Sequence, residues 1–175
     1  MELRFVAPAL SALDGLRCDA LIVPIAEDER PLRRTAGLVD WRLAGALSRL
    51  ASRGVVRGAV GERILVPARP RLAVDKVVLL GTGASAAFDD AVFVATIAAA
   101  IDVLAGLRAR TAALALPGRA IERIGPERAL ELFLEHAADP LSRDEITILD
   151  GADAQRVMLP VLERARRRAR ARESG

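Results

Sequence analysis

The sequence predicts an α/β fold, and three observations carry that prediction. Two runs of strand length, residues 18–25 (CDALIVPI) and 76–80 (KVVLL), are apolar almost throughout, as strands buried on both faces are. The second run leads into the turn Gly81-Thr82-Gly83-Ala84-Ser85 and then into a long alanine-rich stretch, a strand-turn-helix junction. Strand-length and helix-length segments alternate along the chain. That order implies right-handed crossovers and a mixed, mostly parallel sheet with helices on both faces, a three-layer α/β/α arrangement.

Each element follows in turn. Residues 3–6 form a short strand, and Pro8 and Gly15 mark the loop after it. The strand at 18–25 ends in the charged segment Glu27-Asp28-Glu29-Arg30 before Pro31. Over 38–50 the apolar positions Leu38, Trp41, Ala44 and Leu47 recur at three- and four-residue spacings, which predicts one amphipathic helix closed by Gly54 and Gly58. Strands at 63–67 and 76–80 flank a connection containing Pro67 and Pro70. The helix predicted over 86–107 has hardly any polar side and should pack on more than one face. A strand at 111–116, a helix at 126–138 with Pro126 in its first turn, and a strand at 145–149 follow. A helix over 152–170 closes the chain, with Pro160 expected to kink or divide it.

Composition limits the function classes. With 52% hydrophobic and 28% charged residues, the 175-residue chain can build one real core, assigned to residues 1–162. Aromatics make up 3% and Tyr is absent, so base-stacking platforms for single strands are not expected. Lys76 is the only lysine; every other basic residue except His136 is an arginine. Residues 163–175 hold six arginines against Glu163 and Glu173, an Arg-rich helix end on a nearly neutral body. Cys18, the only cysteine, excludes an internal disulfide or a thiolate metal cluster. The apolar stretch 91–107 falls short of the roughly 20 residues of a membrane span. The first residues carry no export pattern, so a soluble cytoplasmic protein without a membrane partner is expected.

The order Asp19-Ala20-Leu21-Ile22-Val23, Gly37-Leu38-Val39-Asp40 running into Gly45-Ala46-Leu47-Ser48, then Gly61-Glu62-Arg63-Ile64-Leu65-Val66-Pro67 and Lys76-Val77-Val78-Leu79-Leu80-Gly81-Thr82-Gly83, resembles the N-terminal domain of leucine aminopeptidases. The likeness covers residues 1–110 by motif and the remainder by length and element order. It implies a macro-domain-like α/β/α fold. It also implies a domain without catalytic residues that helps to build a hexamer, the metal chemistry residing in a C-terminal domain with an Asn-Thr-Asp-Ala-Glu-Gly-Arg motif. That motif does not occur here. The residues agree with this: His136 is a lone histidine beside Glu135, Cys18 has no histidine near it in sequence, and the acids are dispersed. Neither a catalytic set, a metal site nor a cofactor is expected.

Two loops are candidate ligand sites. At Gly81, Thr82, Gly83 and Ser85 the backbone can approach a phosphate, although Asp89 and Asp90 would repel it, and the turn reads first as a tight connection with Ser85 as a cap. The loop with Arg30, Arg33, Arg34 and Thr35 leading to Gly37 parallels the first ligand loop of macro domains, or its arginines pair with Glu27, Asp28 and Glu29. Trp41 is expected in the core or at an interface. Arg164, Arg167, Arg168 and Arg170 could meet nucleic-acid phosphates, or form a solvated helix end. The first functional expectation is a non-catalytic module acting by protein–protein contact, with a protein partner or a second copy, through the 86–107 helix and Trp41. The second is a module for a nucleotide or ADP-ribose-like phosphate ligand; the third is nucleic-acid binding through the arginines.

Overall fold

The computed structural model describes residues 2–137 and 144–173, with side chains described to residue 171. Six strands form one sheet: β1 (Glu2–Val6), β2 (Ala20–Ile25), β3 (Arg63–Pro67), β4 (Lys76–Gly81), β5 (Thr111–Leu114) and β6 (Glu145–Leu149). Their spatial order is β1-β6-β5-β2-β4-β3, parallel throughout except for β3, which runs antiparallel to β4 at one edge. The mixed, mostly parallel sheet expected from the sequence is therefore present.

The helices are α1 (Leu10–Gly15), α2 (Arg34–Arg42), α3 (Ala46–Ser52), α4 (Asp90–Gly106), α5 (Pro126–Ala137) and α6 (Ala152–Glu173). β2 shows how the layers arise. Its six residues are all buried, yet Ala20 and Ile22 join the interior shared with α4, α5 and α6, while Leu21, Val23 and Ile25 join the one shared with α2 and α3. β4 divides in the same way, Val78 and Leu80 against Val77 and Leu79. The two-residue period of a pleated strand sends consecutive side chains into opposite layers. A continuous apolar run is the sequence signature of that double burial.

Several elements differ from the sequence expectation for identifiable reasons. The single helix expected over 38–50 is two, because Ala44 and Gly45 both adopt positive φ, +54° and +76°, and break it. Asp40 then caps the second piece, accepting from the amides of Leu47 and Ser48 and from the Ser48 hydroxyl. The stretch after β1 contains the short helix α1, which buries Leu13. The helix expected from residue 86 begins at Asp90; a 3₁₀ turn, Ser85–Ala87, comes first, and Asp89 rather than Ser85 is the cap, accepting from the Val92 amide at 2.9 Å. α4 buries one face, led by Phe93 and Ile97, and exposes only small residues such as Ala95 and Ala98 together with Asp102 on the other. Alanines expose little apolar area, so a nearly non-polar helix can lie half in water. The expected kink at Pro160 does not divide α6, and β2 begins at Ala20, two residues after Cys18. Residue 138, the expected end of α5, lies outside the described residues.

Candidate functional site

In the turn after β4 the amides of Gly81, Thr82, Gly83 and Ser85 are already engaged within the chain. The amide of Gly81 donates to the Glu62 carbonyl (2.8 Å), Thr82 to Ile25 (2.9 Å) and Gly83 to Gly58 (2.8 Å). The Thr82 hydroxyl also donates to the Ile25 carbonyl. Both the amide and the hydroxyl of Ser85 donate to one oxygen of Asp28, at 2.8 and 2.7 Å. These two bonds hold the Asp28 carboxyl below the ordinary aspartate range. A side-chain anion thus occupies the place where the sequence suggested a phosphate.

The second loop leads to a cavity. The carboxyl ends of β2, β5 and β6 meet the start of α2, and between them lies a small hollow of about 30 Å³, room for a water or two. In open parallel sheets this is the side on which ligands bind. Glu29, Arg34, Thr35, Thr82, Arg119 and Asp150 are the polar and charged residues among those that line it. Asp150 is 5% exposed and receives Arg119 through Nε at 2.7 Å and Nη2 at 3.4 Å, while Nη1 of Arg119 donates to the Ile124 carbonyl. Arg34 pairs with Glu122 at 3.1 Å, tying the start of α2 to the segment after β5. Both partners have positive φ, +46° and +58°, a strained backbone for residues with a Cβ.

Thr35 is the informative residue. Of the buried polar side chains, Glu29, Thr82, Thr96, Thr147 and Asp150 each have a hydrogen-bond partner. Thr35 is 4% exposed, and its hydroxyl has none among the described residues. The amides of Thr35 and Ala36, in the first turn of α2, likewise meet no acceptor there. A helix start leaves such donors open unless something outside the helix accepts from them.

Glu29 flanks the same helix start. Its oxygens accept from the amides of Arg33 (3.0 Å) and Ala26 (3.3 Å), and burial pushes its carboxyl above the ordinary glutamate range against those bonds. The folded state therefore holds this proton more tightly than the unfolded chain does. The stability linked to it is full below the ordinary value of 4.5 and is lost as pH rises through the raised one. Glu29→Gln should accordingly gain thermal stability on wild type as pH climbs from about 4.5, the gap becoming constant once Glu29 is ionised; a gap that does not change from pH 4 to 8 would contradict this assignment.

The other sequence candidates are placed as follows. Arg33 caps α2 with its side chain exposed, and no ion pair joins Arg30, Arg33 or Arg34 to Glu27, Asp28 or Glu29 among the described residues. At Gly37 a Cβ would lie 2.8 Å from the Leu32 carbonyl, so this glycine serves close packing. Trp41 is 72% exposed, not in the core, beside a groove of about 450 Å³ between α2, α3 and Pro31-Leu32. Arg164, Arg167, Arg168 and Arg170 are exposed on α6; Arg164 pairs with Glu127 and Arg167 with Glu163. His136 is exposed, and burial pushes the Cys18 thiol up to about 12. Among the described residues no three His, Cys, Asp or Glu side chains are grouped to hold a metal ion, and no helix is long and apolar enough to cross a membrane. Sequence reasoning missed Asp150 and Arg119; an aspartate directly after an apolar strand was the available signal.

Comparison with known proteins completes the picture. The model of the cytosol aminopeptidase family, N-terminal domain, matches residues 22–146. A probable cytosol aminopeptidase of Pseudomonas aeruginosa (strain UCBPP-PA14) is 31% identical over 128 residues, 73% of this chain and 26% of the relative. The chain thus spans about a quarter of that relative's length. Among solved structures, a tomato leucine aminopeptidase mutant aligns with a TM-score of 0.62 at 17% identity, covering 90% of this chain and 34% of that one. A Trypanosoma brucei macrodomain in complex with ADP-ribose aligns with a TM-score of 0.68 at 14% identity, covering 92% and 69%. At such identities the likeness to the solved structures is one of fold.

Proposed function

The chain belongs to the N-terminal domain of the cytosol aminopeptidase family, and from that membership we propose that it acts as a non-catalytic module binding a small ligand in the cleft at the start of α2. The observation that carries this reading is the unpartnered hydroxyl of Thr35, a residue lining the cleft, beside two open helix amides at the carboxyl ends of the parallel strands. Helix starts bind anionic groups through such donors. A macrodomain of the same fold holds ADP-ribose, which supports a cleft suited to a ligand with an anionic group. Of the two loops the sequence offered, the reading keeps the one with Arg34 and Thr35, sets aside Gly81–Ser85 and adds Arg119. The matched family model is the N-terminal domain alone, so peptide hydrolysis is not proposed for this chain.

The test is a thermal-shift panel of ADP-ribose, ADP, inorganic phosphate and amino acids. A ligand at a hundred times its Kd stabilises by about 2.7 kcal/mol, which for a chain of this size raises Tm by roughly 5–10 °C. At least one compound should do so for wild type and fail for Thr35→Val. No shift from any of them would overturn the reading.

Trp41 favours a second reading, association with another polypeptide. An exposed indole beside an open groove is the kind of anchor that contributes most at interfaces. As the only tryptophan, it reports on itself: dilute protein should show water-like emission with near-complete iodide quenching, and concentrated protein should blue-shift if a second copy covers it. Quenching that is already suppressed in the dilute monomer would show the indole is not exposed.

A further inference from the structure

Resting on the reading of the cleft as a ligand site, we propose that its ligand is a free α-amino acid, whose carboxylate accepts from the Thr35 hydroxyl and the Thr35 and Ala36 amides while its ammonium faces Glu29 and Asp150. Three observations converge on that chemistry. The donors at the start of α2 suit a carboxylate, and Thr35, which lines the cavity, adds a hydroxyl that nothing else among the described residues engages. Two acids line the same small hollow, and they are not equally neutralised. Asp150 is matched by Arg119, whereas the Glu29 oxygens hydrogen-bond only backbone amides among the described residues.

A solitary anion at the helix start would therefore lie beside a carboxyl that no side-chain cation pairs with among the described residues. A molecule carrying both charges on neighbouring carbons satisfies the donors and the acid together. The third observation is the lining: the apolar residues Pro8 and Ile121 border the hollow, giving an aliphatic side chain apolar surface to lie against.

Isothermal titration of the full chain with L-leucine, 4-methylpentanoate, 3-methylbutylamine, inorganic phosphate and ADP-ribose tests the proposal. L-leucine should bind saturably, and each analogue lacking one charged head at least tenfold more weakly. Thr35→Val should weaken leucine tenfold or more and Thr35→Ser should restore it, a pattern a folding defect would not give. Glu29→Gln should weaken leucine and leave 4-methylpentanoate unchanged or tighter. If phosphate or ADP-ribose binds in a Thr35-dependent way and leucine does not, the amino-acid assignment falls and the cleft stands. If nothing binds, or Thr35→Val changes nothing, both fall.

Discussion

Gly81→Val is expected to leave the chain largely unfolded. A Cβ at this position would run into the Ala59 carbonyl oxygen and lie 2.7 Å from the Gly58 carbonyl carbon and 2.8 Å from that of Ala59. These are backbone atoms, held by the Gly81 and Gly83 hydrogen bonds to Glu62 and Gly58, so no side chain can swing aside. The segment ahead of β3 would have to lift off the end of β4. Losses above about 4 kcal/mol are exceptional and come from conflicts of this kind, against a total stability of about 5–15 kcal/mol for a domain. Urea unfolding followed by circular dichroism reads the outcome. Gly15→Ala is the control, since a Cβ there meets nothing within 4 Å, and it should match wild type or slightly exceed it. A Gly81→Val midpoint close to that of wild type would mean the two segments are not packed as described.

Asp150→Ala should have the second largest effect. Arg119 and Asp150 are 16% and 5% exposed, and removing the acid strands a guanidinium beside the cavity and deprives the Gly151 amide of its acceptor. Breaking a buried pair from one side costs about 3–5 kcal/mol, whereas replacing both partners with apolar residues of similar volume is often close to neutral. The double variant Arg119→Met with Asp150→Leu should therefore recover most of the stability that Asp150→Ala loses. A double-mutant cycle by urea denaturation measures the coupling. Equal, additive losses would show that the two residues contribute separately.

The centre of the sheet was legible because β2 and β4 are written as almost uninterrupted apolar runs bounded by charge, proline or glycine, and both begin or end within two residues of where those runs do. Helix breaks were harder. Nothing at Ala44 announces a left-handed residue, so the 38–50 pattern reads as one helix although the chain turns there. The Gly81–Ser85 turn misled for a different reason. Its glycines do permit close approach, but what approaches is the 58–62 segment and Asp28, and a hydrogen bond between residues 28 and 85 leaves no trace in local pattern. Thr35 lay within the second candidate loop, overshadowed by its arginines. Its significance depends on a hydroxyl left without a partner at the cavity wall, a property of the packed chain and not of residue type. Arg119 and Asp150 sit 31 positions apart and come together only when β6 is laid beside β5.

The alternation along β2 has an evolutionary corollary. Leu21 and Ile22 are adjacent in the chain yet serve separate interiors, one roofed by α2 and α3 and the other by α4, α5 and α6. The sheet acts as a partition, so a lineage can remodel the packing of one interior while the other keeps its residues. Divergence in such a molecule should follow the partition and not the order of the codons.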